Sequence, residues 1–293
     1  MSEPPPLCLP PRPVDAAPAG RALPRGTCDT HMHVFGPLGR FPLSPTRNYT
    51  PREARLADYR KVMDALGIDR AVLVQPSVYG TDNSALMEAL ASDPARLRAV
   101  VVVPPAILDT DLAELDRMGA RGIRINRRNP GGLSLDDFDS LAQRIAPLGW
   151  HIQLQVTLAT EAGLGALVRR SPVPVVLDHL GFLTPGLPLE SGPFRDLLEL
   201  MAEGNIFVKL SAPYRLTYLS IAGPYADLLP YIAALVAVRP DRLLWASDWP
   251  HTEMFEHMPD SLDRALRLGL DAADEATRHA IFVANPARLY GFV

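Results

Sequence analysis

Short segments rich in valine, isoleucine and leucine alternate with longer amphipathic stretches along most of the chain. A short apolar segment is typical of a buried strand, and the amphipathic stretches carry apolar residues at helical spacing. The eight predicted strands are Cys28–Val34, Arg70–Ser77, Leu97–Pro104, Arg121–Asn126, His151–Val156, Pro174–His179, Ile206–Ser211 and Leu243–Asp248. Helices are predicted at Tyr59–Leu66, Ser84–Leu90, Leu112–Arg117, Phe138–Ile145, Glu161–Arg169, Pro193–Met201 and Ala226–Val238, with a last helical region from Ser261 onward. This alternation predicts an α/β protein built from parallel βαβ units.

Polar residues stand near the carboxyl ends of these predicted strands. Eight βα units in 293 residues favour one (β/α)8 barrel, the TIM barrel, although a doubly wound open sheet has the same local pattern. A barrel brings all eight strand ends around one mouth, whereas an open sheet would scatter them, so the polar ends favour the barrel. The residues concerned are His31, His33, Gln75, Ser77, Arg124, Gln155, Asp178, His179, Lys209, Ser211 and Asp248.

Residues 1–26 are a proline-rich N-terminal extension, and residues 27–293 are the predicted barrel, a single domain. Proline-rich sequence favours extended polyproline backbone. We therefore expect the extension to lie across or off the domain surface, with Cys8 in a mobile tail. It lacks the basic-then-apolar order of a signal peptide.

Composition excludes several classes of protein. The two cysteines, Cys8 and Cys28, cannot build a disulfide framework, which indicates reduced thiols in a cytoplasmic protein. No apolar stretch approaches the roughly 18–20 residues of a membrane helix. A formal net charge of −4 gives no reason to expect a nucleic-acid or membrane partner, so an anionic ligand must be bound by local arginines.

The segment "CDTHMHVFGP" places His31 and His33 two residues apart on the first predicted strand, where they face the same side. Such a pair could hold a metal, polarise a substrate, or pack and hydrogen-bond in the core. Asp248 ends the apolar eighth strand in "LLWASDWPH", and burying its carboxylate without a partner is costly. The first and eighth strands are neighbours in a closed barrel, so the two histidines are natural partners for this carboxylate.

Asp178 and His179 end the sixth predicted strand. Adjacent strand residues face opposite sides, so we expect only one of them to enter the site, and we favour His179. Asp178 would then cap the following turn or orient a neighbouring histidine.

Together these residues resemble the amidohydrolase superfamily and, more narrowly, its 2-pyrone-4,6-dicarboxylate lactonase-like branch. The similarity extends from about residue 27 to the end of the chain. It is carried by "DTHMHVFGP", "FPLSP", "VLVQPSVYGTDN", "GARGIRIN", "VVLDHLG", "VKLSAPYR", "SDWPH" and "NPARLYGF".

The resemblance implies a division of catalytic roles. Asp248 would be the general base that takes a proton from water. His31, His33 and His179 would surround the substrate carbonyl oxygen and stabilise the charge that develops there. Those residue types suit acyl transfer by one positioned base and one oxyanion pocket, and no G-x-S-x-G nucleophile motif is present.

The same His, His, His and Asp set could also bind a single zinc or manganese ion. Many superfamily members add a carboxylated lysine or a glutamate at strand four, or a histidine at strand five. Here those strands end "GIRIN" and "HIQLQV", so neither supplies such a group, and Gln155 stands in place of a ligand. We therefore expect that no metal is required, and a divalent ion is the alternative.

Arginines near the predicted mouth indicate an anionic substrate, because the guanidinium fork matches carboxylates. In the resembled branch, arginines that match Arg124 and Arg215 contact substrate carboxylates, and a loop arginine falls near Arg128; Arg128 could instead be a solvated loop charge.

Ser77 could donate to a carboxylate, and Tyr49 would reach over the mouth as in that branch or pack on its own loop. The best-known members of the branch carry a substrate-contacting tyrosine where this chain has Gln155. This difference argues against the planar pyrone itself as the substrate. Lys209 is assigned a structural ion pair.

The favoured function is a lactonase that opens a small carboxylated lactone, 2-pyrone-4,6-dicarboxylate-like or muconolactone-like, as in aromatic compound degradation. A metal-dependent decarboxylase is an alternative, but it would usually carry a strand-five histidine. A lactone isomerase of a sugar diacid is another alternative, although relatives of that kind tend to lose the HxH pair that is intact here. A non-enzymatic binding barrel would not explain one base and three histidines at one mouth.

Overall fold

A computed structural model describes residues 4–13, 22–190, 192–221, 223–259 and 268–292. Eight parallel strands form one sheet in chain order, which confirms all eight predicted strands. Most of them end one to three residues earlier than predicted, because the polar residues at their carboxyl ends leave the ladder. The strands are β1 (Cys28–Met32), β2 (Arg70–Val74), β3 (Leu97–Val101), β4 (Ala120–Asn126), β5 (His151–Gln155), β6 (Val175–Leu177), β7 (Ile206–Leu210) and β8 (Leu243–Trp245).

The first and last strands meet, so the sheet is a barrel and not an open doubly wound sheet. Met32 pairs with Trp249 in a parallel bridge, and the Asp248 amide donates to the His31 carbonyl at 3.0 Å. The buried Asp29 carboxylate strengthens this closure, since its Oδ1 accepts from the amides of His31 and Ser247, each at 3.0 Å. The predicted (β/α)8 TIM barrel is confirmed.

Helices cover the barrel, and all seven predicted inter-strand helices are present. The fourth shows why they form: its buried residues, Phe138, Leu141, Ala142 and Ile145, follow the spacing of one helical face. The helices are α1 (Leu56–Leu66), α2 (Ser84–Ala91), α3 (Asp109–Met118), α4 (Phe138–Ile145), α5 (Leu164–Arg170), α6 (Gly192–Glu203), α7 (Leu229–Val238), α8 (Glu275–His279) and α9 (Asn285–Tyr290).

The final predicted helical region begins outside the described residues, which resume at residue 268. From there α8 runs through one π-helical turn, Ala280–Ala284, into α9. Among the described helices, none has the length and apolar character needed to cross a bilayer.

The described part of the N-terminal extension packs on the barrel mouth. Cys8 and Leu9 donate backbone hydrogen bonds to the carbonyls of Thr50 and Met254, both at 2.8 Å, and Thr50 donates back to Pro6. Cys8 is buried. The expectation that Cys8 lies in a mobile tail is therefore wrong: the extended backbone adds to two loop edges and is fixed there.

Candidate active site

Four side chains from three strand ends converge at the barrel mouth. Asp248 Oδ1 lies 3.8 Å from His31 Nε2, 3.9 Å from His33 Nε2 and 3.8 Å from His179 Nε2. All four residues are buried. The sequence predicted this group, and the structure brings its members together.

Left-handed backbone directs two of these side chains into the mouth. His179 and Asp248 have φ angles of 52° and 58°, a region that non-glycine residues seldom adopt and that is enriched at functional sites. Both lie just beyond the last residue of their strands, Leu177 and Trp245. Strand alternation therefore does not govern them; of Asp178 and His179, His179 lines the pocket, whereas Asp178 contacts the outward nitrogen of His31.

The outward nitrogen of each histidine has a fixed partner. His31 Nδ1 contacts Asp178 Oδ1 at 3.2 Å, His33 Nδ1 contacts the Val74 carbonyl at 2.7 Å, and His179 Nδ1 contacts Ser211 Oγ at 2.8 Å. The Val74 carbonyl only accepts hydrogen bonds, so His33 carries its proton on Nδ1 when neutral; His31 Nδ1 also lies 3.3 Å from the donor Lys209 Nζ, so its proton can stand on either nitrogen. Ser211 can donate or accept, so either tautomer of His179 is satisfied.

Burial keeps the histidines neutral near pH 7. Loss of hydration lowers the pKa of His33 and of His179 to about 4, and the pKa of His31 is also well below its usual value. For Asp248, burial opposes ionisation, but the three histidines and Arg215 outweigh it and hold its pKa well below the usual range. Asp248 is therefore an anion at neutral pH.

The second carboxylate oxygen of Asp248 is bound on the opposite side. Tyr214 donates its hydroxyl to Oδ2 at 2.5 Å, and Arg215 Nε approaches the same oxygen at 3.3 Å. These contacts leave Oδ1 facing the histidines. Tyr214 was missed from the sequence, although it stands beside Arg215 in "SAPYR".

A buried charge network lies beneath His31. Lys209 Nζ donates to the Thr30 carbonyl at 2.8 Å and to Gln153 Oε1 at 2.7 Å, and it lies 3.4 Å from Asp178 Oδ1. Arg124 binds the other Asp178 oxygen at 3.2 Å. Lys209 thus makes the structural ion pair expected for it, and burial lowers its pKa to about 8. Asp178 orients His31, one of the two roles considered for it.

The pocket above Asp248 is polar and nearly filled. Its free space is about 10 Å³, enough for about one water molecule. Five of the six predicted substrate-binding residues line it, whereas Arg128 stacks on the Phe182 ring at 3.8 Å and donates to Thr157 Oγ1. The lining residues are His33, Tyr49, Ser77, Arg124, Asn126, Asn129, Gln155, His179, Arg215, Asp248, Thr252 and Glu253.

Glu253 and Asn129 are lining residues that the sequence analysis missed. Glu253 follows "SDWPH" in an irregular loop and has a φ angle of 61°, and Asn129 lies in the loop after β4. Neither loop has a periodic pattern that would assign a side chain to the pocket. Only their contacts in the folded chain place them there.

The cluster can hold a divalent metal. One ligand atom each from His31, His179 and Asp248 lies within 4.8 Å of the others. The 3.8 Å separations are near the roughly 3.4 Å between ligand atoms of a tetrahedral zinc ion. In addition, the Nε2 atoms of His31 and His33 are 3.3 Å apart. When His31, like His33, carries its proton on Nδ1, this contact joins two lone pairs, which a cation between them would satisfy.

Comparison with known proteins places the chain in a family. The model of the amidohydrolase family matches residues 28–292. A 4-sulfomuconolactone hydrolase of Rhizobium radiobacter is 36% identical, over 98% of this chain and 97% of the relative. A 2-pyrone-4,6-dicarboxylate hydrolase of Comamonas testosteroni is 35% identical, over 92% of this chain and 91% of the relative. The crystal structure of an Acinetobacter baumannii protein with citric acid bound is 26% identical, with a TM-score of 0.79 over 91% of this chain and 100% of that chain.

The resemblance read from the motifs is thereby confirmed, and the chain belongs to the amidohydrolase family.

Proposed function

We propose that this protein is a lactone hydrolase that opens the ring of a small carboxylated lactone, 2-pyrone-4,6-dicarboxylate-like or muconolactone-like. The observation that carries the proposal is the placement of Asp248 Oδ1 at 3.8–3.9 Å from three histidines, at the floor of a pocket with space for one water. The two lactone hydrolases that share more than a third of their residues with this chain support the same class of reaction.

Asp248 acts as the general base. Because Tyr214 and Arg215 bind Oδ2, Oδ1 is the oxygen that accepts a proton from water. The water oxygen bonds to the lactone carbonyl carbon. When the ring C–O bond breaks, the proton held by Asp248 passes to the leaving ring oxygen, so the product is an open hydroxy acid or, from a lactone whose ring oxygen is bonded to a C=C carbon, an open acid that bears an enol.

The histidines polarise the carbonyl. The Ser211 hydroxyl can donate to His179 Nδ1, which leaves an N–H at Nε2 that points into the cluster. With Lys209 Nζ donating to His31 Nδ1, neutral His31 carries its proton on Nε2 and supplies a second donor in the cluster. Donors fixed before the reaction stabilise the developing oxyanion without reorganisation, and this is the largest catalytic contribution expected of such a site.

No metal is required in this proposal. Lys209 and Arg124 are buried cations beside the histidines, and their charge opposes binding of a further dication. If a divalent ion is present, His31, His179 and Asp248 would hold it, and it would supply Lewis-acid polarisation of the carbonyl.

The pocket also suits an anionic substrate. Arg124 and Arg215 line it, Ser77 and Tyr49 add hydroxyls, and Gln155 offers an amide. The relative from Acinetobacter baumannii binds citric acid, a small polycarboxylate, which supports a carboxylated ligand. Arg128, at the rim over Phe182, is proposed to meet a second anionic group as the pocket fills.

Replacement of Asp248 by Asn tests the base. The amide keeps the shape and loses the basicity, so kcat for ring opening should fall by about 10²–10⁴-fold. The measurement is proton release from a panel of carboxylated lactones. The control is Asp64→Asn, on the exposed face of α1. Near-normal turnover by Asp248→Asn would remove Asp248 from the role of base.

A further inference from the structure

Glu253 places a carboxylate inside a pocket that otherwise suits anions. Its Oε2 accepts from Arg215 Nη1 at 3.1 Å, and its Oε1 accepts from Asn129 Nδ2 at 2.9 Å. Arg215 and Asn129 are donors of the kind that bind a substrate carboxylate. In this structure Glu253 uses them.

The backbone beneath Glu253 is fixed on both sides. The Glu253 amide donates to Cys8 Sγ at 3.3 Å, and the next residue, Met254, accepts from the Leu9 amide at 2.8 Å. Arg215 also donates to Thr252 Oγ1 at 3.1 Å. Because the loop is held, the part of Glu253 that is free to move is its side chain, which is 26% exposed.

The pocket must open to bind a ligand. Its free space is about 10 Å³, whereas pockets for small molecules occupy roughly 300 Å³ or more. Glu253 lies in the pocket wall and reaches solvent, so its rotation frees both space and two donors. An anionic ligand that arrived without this rotation would meet the negative charge of Glu253, which is bound to Arg215.

We propose that Glu253 is a placeholder: in the free protein its carboxylate fills an anion subsite formed by Arg215 and Asn129, and an anionic substituent of the ligand displaces it. This inference deepens the proposed function, on which it rests for the identity of the ligand as a carboxylated lactone. Glu253 is thus a specificity residue that weakens binding of ligands with a second anionic group, because such ligands must compete with it.

Direct binding tests the inference without catalysis. The probe is pyridine-2,4-dicarboxylate, a planar dicarboxylate with no lactone bond, titrated by calorimetry. Glu253→Gln should bind it about fivefold or more tightly than the unmodified protein, since the competing ion pair is lost. The control is Glu256→Gln, an exposed position in the same loop that loses the same charge. Its affinity should stay within twofold.

Three results would overturn the inference. Unchanged or weaker binding by Glu253→Gln would show that Glu253 supports the subsite instead of competing for it. Equal tightening in Glu256→Gln would show a general charge effect. No binding by either protein at millimolar probe would remove the anion subsite. Failure of the proposed function gives a different result, namely tighter probe binding by Glu253→Gln with no lactone opened by the unmodified protein.

Discussion

His151 allows a quantitative test of the barrel interior. Its ring is fully buried at the start of β5, with the Tyr290 ring edge-on at 5.2 Å. Among the described residues, neither ring nitrogen has a hydrogen-bond partner of acceptable geometry. Burial, followed by the charge of Lys209, lowers its pKa from 6.5 to about 3. The folded protein therefore holds this ring neutral at pH values where the unfolded chain protonates it.

The sign and size of the effect follow from this shift. Between pH 6.5 and about 3 the unfolded state binds more protons, so stability falls as the pH falls. The cost from His151 is about 2 kcal/mol at pH 5 and below about 0.2 kcal/mol at pH 7.5. Replacement of His151 by Leu removes this term.

The assay is urea unfolding at pH 7.5 and at pH 5 for both proteins. The stability of His151→Leu relative to the unmodified protein should improve by about 2 kcal/mol between these two pH values. Any effect of the substitution on packing contributes equally to stability at both pH values and cancels in the comparison. The contributions of the other buried histidines are the same in both proteins and cancel too. His279→Leu, at an exposed position in α8, is the control, because solvent surrounds its ring in both states. Parallel pH dependence of His151→Leu and the unmodified protein would refute a buried, unprotonated His151.

Two further predictions concern the catalytic cluster. Tyr214→Phe removes the hydroxyl that holds Asp248 Oδ2, so kcat should fall by roughly 10–100-fold with little change in KM; an equal rise in KM would instead indicate a substrate-binding role. Chelator treatment of the purified protein should leave the rate of lactone opening unchanged, and elemental analysis of the same sample gives its metal content. Stoichiometric zinc whose removal abolishes activity, and whose return restores it, would contradict the metal-free proposal.

The sequence predicted the barrel because its physical causes are local. Apolar segments of strand length and amphipathic stretches of helix length recur eight times, and each polar strand end projects toward the same mouth. The sequence also placed His31, His33 and Asp248 together, because they lie at the ends of the first and last strands, which are neighbours once the barrel closes.

Other parts of the site depend on conformations that a periodic pattern does not contain. His179 turns into the mouth through a left-handed backbone angle, which lets its neighbour Asp178 bind His31 from below. Tyr214, Asn129 and Glu253 stand in loops, where side-chain direction follows from tertiary contacts. Such positions become predictable only when the folded loops are known.

The hydrogen bond between Glu253 and Cys8 joins residues 245 positions apart. The loop near the last strand that carries Glu253, a residue of the pocket wall, is therefore held by the segment 4–13. During synthesis the ribosome must release almost the whole chain before this wall can form, so a nascent barrel with seven strands has histidines but no finished pocket. Deletion of residues 4–13 would therefore remove a support of this loop and act directly on the pocket.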